Sequence, residues 1–279
     1  MKILVTGATG MLGQDVMRTL SALGHDCTGA CSRDFDLRDA AAVRAAVLAC
    51  RPDAIIHCAA WTAVDLAESN PEGCMAVNAQ GTLNIARAAR DADAKLLYIS
   101  TDYVFDGSGS APHEADEPPC PLNVYGLSKL QGEEAVRSVT ARHFILRTSW
   151  VFGHGGRNFV ETIRRLGGEK TQISVVNDQI GAPTSTRDLA RLISQMIVTD
   201  RYGIYHAANG GCCSFAEFAR AILRLTGSSC RVQPIPTSEY PAAARRPLNS
   251  RLSMRALDEN GFPRLPAWQD ALARYLTEE

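Results

Sequence analysis

The 279-residue chain reads as an α/β protein with a doubly wound parallel sheet and a smaller mixed α/β lobe. Three observations predict this. Apolar runs alternate with amphipathic, alanine-rich stretches over the first 150 residues. The runs are continuously apolar, as strands covered on both faces are. A glycine-spaced turn joins the first run to the first amphipathic stretch. On this reading strands occupy residues 2–6, 27–31, 54–58, 95–100 and 144–148. Helices lie between them at 11–23, 40–50, 72–90 and 125–136.

Beyond Trp150 the rhythm loosens. Turns are expected at His154-Gly155-Gly156 and Gly167-Gly168, and prolines interrupt at Pro236, Pro247 and Pro263. Residues 173–176 and 203–207 still read as strand, and 186–198, 215–225 and 268–276 as helix. The expected division is a dinucleotide-type domain over 1–150 and a substrate lobe over 151–279, interleaved with it.

Composition removes several function classes. Hydrophobic residues at 46% and charged residues at 21% exclude wholesale disorder. Twenty-nine Lys plus Arg against thirty Asp plus Glu leave a formal charge of −1, without the basic surplus of a nucleic-acid binder. No apolar run nears the ~18 residues of a membrane span, and no signal-type segment opens the chain. Nine cysteines, an odd number with no CxxC pair, suggest buried reduced thiols in a cytoplasmic protein, with neither a disulfide framework nor a metal site.

Gly7-Ala8-Thr9-Gly10-Met11-Leu12-Gly13 lies between the first strand and the first helix. Glycines at 7, 10 and 13 permit a tight turn, close approach of backbone to a pyrophosphate, and close helix-to-strand packing. The backbone N–H groups of the helix start, Met11 and Leu12 among them, then face the phosphates. The second strand ends at Cys31-Ser32-Arg33, where an NAD site would carry a carboxylate for the ribose. A hydroxyl and a guanidinium suit a 2′-phosphate instead, which favours NADPH with NADH as the alternative. Asp36, followed by Leu37, could serve the ribose or adenine side.

Tyr125 and Lys129 stand four apart at the start of a helical stretch, on one face. An adjacent ammonium is expected to lower the phenol's pKa and make it a proton donor or acceptor near neutrality. With seven tyrosines and four lysines in 279 residues, about 0.1 such spacings arise by chance. Thr101 and Asp102 follow the fourth strand, at the sheet edge where ligands bind. A hydroxyl there can donate to a developing alkoxide and a carboxylate can fix a sugar hydroxyl, the alternative for Asp102 being a helix cap. His57 and His143 read as structural, Trp268 as packing, and His154 as a lesser candidate for substrate contact.

These motifs, with Ala59-Ala60-Trp61-Thr62, Asn78 and Arg147-Thr148-Ser149-Trp150, resemble the extended short-chain dehydrogenases/reductases. Asp178-Gln179-Ile180-Gly181-Ala182-Pro183-Thr184 and Arg246-Pro247-Leu248-Asn249-Ser250-Arg251 are similar to the dTDP-4-dehydrorhamnose reductase family within them. The resemblance covers nearly the whole chain. It implies a modified Rossmann fold and NAD(P)H-dependent reduction of a 4-keto dTDP-sugar to dTDP-L-rhamnose, in an enzyme that is a possible homodimer. It also implies that Thr101 and Tyr125 hold the C4 oxygen, that Lys129 binds the nicotinamide ribose, and that Asp102 and Trp150 contact the sugar nucleotide. Ala59, Ala60 and Thr62 would line the cofactor. Arg246, in a segment holding three guanidiniums, is expected on the substrate diphosphate, the alternative being an internal ion pair. The rival readings are a sugar-nucleotide epimerase or dehydratase and a non-catalytic NADP-binding regulatory subunit.

Overall fold

Continuously apolar strands need cover on both faces, and the computed structural model, which describes residues 1–277, supplies it. In chain order the first stretch holds β1 (Lys2–Thr6), α1 (Met11–Ala22), β2 (Asp26–Ala30), α2 (Ala40–Cys50), β3 (Ala54–His57), α3 (Val64–Ser69), α4 (Pro71–Met75), α5 (Gly81–Asp91), β4 (Lys95–Thr101), α6 (Val124–Val139) and β5 (His143–Thr148). The remainder holds β6 (Val151–Phe152), α7 (Phe159–Glu169), β7 (Gln172–Val176), β8 (Ile180–Gly181), β9 (Thr184–Ser185), α8 (Thr186–Ile197), β10 (Gly203–His206), β11 (Cys213–Ser214), α9 (Phe215–Leu225), β12 (Arg231–Ile235), β13 (Asn249–Ser250), α10 (Arg255–Glu259) and α11 (Trp268–Thr277).

Six strands form one all-parallel sheet in the order β10-β5-β4-β3-β1-β2. Chain direction across the sheet reverses at β1, so the crevice beyond the ends of β1 and β3 is the switch point where open α/β sheets bind ligands. Val16 and Leu20 of α1 and Leu189, Ile193 and Met196 of α8 bury one face. Val43, Val47, Ile85, Ala89 and Val136 bury the other. The dinucleotide-type unit therefore does not stop at residue 150, since α8 and β10 complete it. A separate core of Phe152, Val160, Ile163, Phe218, Ile222, Trp268 and Leu272 holds the second body together.

Short polar side chains start the helices. Asp39 accepts from the backbone N–H groups of Ala41 and Ala42 at α2, Asn123 from Gly126 at α6, and Asn158 from Glu161 at α7. Ser214 and Glu217 form a capping box at α9. Helix α1 differs: Gly10 sits at its N-cap with no side-chain cap and no acidic residue in its first turn.

Three local expectations change. Gly167 and Gly168 lie within α7, not in a turn; a Cβ on Gly167 would stand 2.3 Å from Leu223, so the glycine lets α7 approach α9. The single helix expected over 72–90 is α4, a π-helical turn at Ala76–Gln80 and α5. β2 ends at Ala30, which puts Cys31 in the following turn. All nine cysteines are unpaired, but only Cys74, Cys213 and Cys230 are buried. No helix among the described residues is long and apolar enough to cross a membrane.

Candidate active site

Parallel strands deliver their carboxyl ends to one edge, and most of the singled-out residues arrive there. Gly7 turns with φ +67°, and a Cβ on it would meet the Ala59 backbone nitrogen at 2.7 Å. A Cβ on Gly13 would stand 2.2 Å from the Gly7 carbonyl oxygen. The loop is thus packed backbone on backbone across the switch point, and only glycine fits at either position. The exposed Gly10, the uncapped start of α1, and Met11 and Leu12 in its first turn leave an anion-compatible surface. These residues fit a dinucleotide pyrophosphate.

Ala59, Ala60 and Thr62 follow β3 beside this loop. Asn78, in the π turn, fixes the segment: its Oδ1 accepts from Trp61 N at 2.7 Å, and its Nδ2 donates to Trp61 O and to Ser128 Oγ. A π turn rotates Asn78 out of ordinary helical register, a device that recurs at functional sites.

Thr101 ends β4, buried, its hydroxyl donating to Asp102 Oδ1 at 3.1 Å. Asp102 Oδ2 has no hydrogen-bond partner among the described residues. Burial pushes this carboxyl up to about 6, an effect the nearby Ser250 and Thr101 hydroxyls partly offset. Tyr125 sits in the first turn of α6, its ring edge-on to Tyr103 at 5.7 Å. Gly126 allows this contact, for a Cβ there would lie 2.1 Å from Tyr103 O. Lys129, one turn on, is buried, with Nζ 4.2 Å from the centre of the Tyr98 ring.

The electrostatics depart from the expectation for this pair. Burial raises the Tyr125 phenol, the Asp102 carboxylate adds to the rise, and only the Thr101 hydroxyl opposes it. Burial lowers Lys129 to about 7 against the pull of Glu133, Cys58 and Cys74. Desolvation disfavours the charged form of both groups, so Tyr125 is held as a protonated phenol.

Trp150 follows β5 in a left-handed conformation, φ +49°, with its indole stacked on Phe215 at 3.6 Å. Gly181 makes room, since a Cβ there would lie 2.7 Å from the indole. Ser32 and Arg33 are exposed in the turn after β2, at the same sheet edge. Other candidates are engaged inside the chain. The Asp36 carboxylate is held by Arg38, which lowers it to about 2. Leu37 packs against Gly81, and its carbonyl accepts from Asn84. Arg246 makes a two-pronged pair with Asp65, at 2.6 and 3.1 Å. His154 stacks on Tyr275 at 4.2 Å, while His57 is buried between Thr6 and Thr82.

Sequence reasoning passed over Ser128, Glu133 and Tyr98. Glu133 is buried against Arg147, at 2.7 and 2.9 Å, and accepts from Ser100 at 2.5 Å. The available signal was Gly126 and Gly132 inside an otherwise good helix, where glycine marks a close neighbour.

Known proteins share this arrangement along the whole chain. The family described as the RmlD substrate binding domain matches residues 1–279. The dTDP-4-dehydrorhamnose reductase of Streptomyces griseus is 42% identical over 96% of this chain and 91% of its own. The spore coat polysaccharide biosynthesis protein SpsK of Bacillus subtilis is 40% identical over 99% of this chain and 97% of its own. A crystal structure of dTDP-4-dehydrorhamnose reductase from Bacillus anthracis in complex with NADP is 41% identical, covers 100% of this chain and 99% of that one, and superposes with a TM-score of 0.97. With a family match over residues 1–279 and relatives about 40% identical along nearly their whole length, the chain belongs to the dTDP-4-dehydrorhamnose reductase family.

Proposed function

We propose that this chain reduces the 4-keto group of dTDP-4-dehydro-L-rhamnose to give dTDP-L-rhamnose, with NADPH as reductant. The observation that carries the reading is the meeting of Thr101, a protonated Tyr125 and Lys129 beside the glycine loop, at the switch point of the sheet. NADPH, when bound, supplies the hydride. Tyr125 donates its phenolic proton to the C4 oxygen as negative charge develops there, and its raised pKa makes the phenol, not the phenolate, the species present at neutral pH. Thr101 donates a second hydrogen bond to the same oxygen, a contact typically worth about 3 kcal/mol when preorganised. Lys129 holds the nicotinamide ribose, and its charge offsets that left on Tyr125 after proton transfer.

Gly7, Gly10, Met11, Leu12 and Gly13 take the pyrophosphate, and Ala59, Ala60 and Thr62 line the cofactor. Ser32 and Arg33 take the 2′-phosphate, supported by their exposure in the turn after β2, where the Asp34 carboxylate is turned back onto the Cys31 N–H at 2.7 Å. Asp102 Oδ2, buried and unpartnered, accepts from a sugar hydroxyl, and Trp150 offers an indole face to the sugar nucleotide. Arg246 reaches the diphosphate by exchanging its pair with Asp65. The unpaired thiols and the nucleotide-sugar substrate support a cytoplasmic location.

A dehydratase reading draws on Asp102, whose carboxyl near 6 could serve as an acid. The test is loss of reduced-nicotinamide absorbance on adding the 4-keto sugar nucleotide. Stoichiometric NADPH consumption with formation of the 4-hydroxy sugar is expected. Conversion without consumption would favour the epimerase or dehydratase reading, and binding without conversion a regulatory subunit.

A further inference from the structure

We propose that Tyr98 is a positioning residue for this reaction, its ring face being the seat that holds Lys129 in place and in its cationic form. The proposal deepens the reductase reading in that it takes Lys129 as the lysine of that site. Tyr98 holds the lysine at both ends. The ammonium lies 4.2 Å from the ring centroid, within cation–π range, and the Tyr98 hydroxyl donates to the Lys129 backbone carbonyl at 3.3 Å. The ring is fully buried in β4. Gly132 is the helix's concession to it, because a Cβ there would lie 2.2 Å from the Tyr98 hydroxyl.

Apart from Glu133, the groups around the ammonium are uncharged, which leaves the ring a large share of its support. Nζ makes no hydrogen bond or ion pair among the described residues. On its own helix, Tyr125 lies one turn back and is held protonated, while the Glu133 carboxylate, one turn on, favours the cation but is bound to Arg147. From β3 and the residue after it come His57, which burial and Lys129 keep neutral by lowering it to about 3, and Cys58, which burial pushes up to about 12. From α4 comes Cys74, a thiol whose pKa burial also raises. His57 stacks on Tyr98 at 5.7 Å, so the ring's aromatic neighbour is uncharged and does not compete with Lys129. A buried cation whose one nearby carboxylate is bound to a guanidinium needs the aromatic face as well, or it loses its proton more readily.

Four lysines in the whole chain make the test direct, because carbon-13 labelling of the lysine Cε yields four signals, with Lys129 assigned by its loss in Lys129→Met. The Lys129 signal is titrated against pH in the wild type, in Tyr98→Phe, in Tyr98→Met, and with pentafluorophenylalanine in place of Tyr98. Tyr98→Phe keeps the ring face and is expected to titrate as the wild type does. The fluorinated ring, nearly the same shape with its quadrupole inverted, and the Met variant are both expected to titrate about one pH unit lower. NADPH affinity above that midpoint should fall about tenfold in the same two proteins. Lys129 midpoints that coincide in Tyr98→Phe and the fluorinated protein would overturn the proposal, and that pair decides the matter even where Tyr98→Met does not fold. A wild type that binds NADPH but leaves the 4-keto sugar nucleotide unreduced would instead remove the reductase reading, with the titration still reporting on Tyr98.

Discussion

The inner wall of the site and its outer rim are built on opposite principles. Along the inner wall, from Thr101 to Lys129, polar groups are buried and each is placed by a neighbour: Thr101 by Asp102, Lys129 by Tyr98, Glu133 by Arg147. At the rim, Ser32 and Arg33 stand in solvent, and Arg246 is tied to an Asp65 that is half exposed. Burial shifts the inner groups far from their ordinary protonation, Asp102 up to about 6 and Lys129 down to about 7. The rim relies on charges that are exposed, as at Arg33, or paired, as at Arg246. Substitution at the inner wall should therefore change chemistry and pH dependence, and substitution at the rim should change affinity.

The sharpest break is at Tyr125. Tyr125→Phe keeps the ring and its edge contact with Tyr103 but removes the proton, so turnover should fall by roughly 10²–10⁴ while NADPH binding, followed by fluorescence titration, is retained. Thr101→Val should lower kcat by less, with unchanged cofactor affinity, as expected for a contact that strengthens in the transition state. Near-normal turnover in Tyr125→Phe would erase the distinction between wall and rim.

Asp102 provides a test of stability. Its folded pKa lies above the unfolded value, so protonation favours the folded state. That contribution is present below pH about 4 and is lost as pH rises through about 6. Asp102→Asn cannot titrate. Relative to wild type it should gain stability between pH 4 and pH 8, by an amount on the order of 3 kcal/mol. Denaturant melts at the two pH values measure this, and a difference independent of pH would contradict the buried-carboxyl account.

Rim effects are smaller and confined to binding. Arg33→Ala should weaken NADPH by ~1–3 kcal/mol and leave NADH nearly unchanged. Equal loss for both cofactors would remove Arg33 from the 2′-phosphate. Smallest is the Asp65–Arg246 pair, whose contribution to stability should stay under about 1 kcal/mol. Arg246→Ala should still raise the KM for the sugar nucleotide, and an unchanged KM would leave Arg246 as a clasp between α3 and the 244–246 segment.

The sequence by itself determined the parallel sheet, the glycine loop and the Tyr125–Lys129 pair. Each is encoded locally: apolar runs, three glycines at one turn, and two side chains on one helical face. It also determined that Thr101 and Asp102 lie at the active edge, since a parallel strand can end nowhere else. Tertiary structure decided what depends on neighbours distant in the chain. It bent the 72–90 helix through a π turn so that Asn78 could hold both Trp61 and Ser128. It absorbed Gly167 into α7 because α9 approaches there, and committed Arg246 to Asp65. It also raised the Tyr125 phenol, by burial and the Asp102 carboxylate, where the spacing alone led to the expectation of a lowered one. The spacing of two residues shows that their charges can meet, but the cost of removing both from water depends on everything packed around them, and here that cost is the larger quantity.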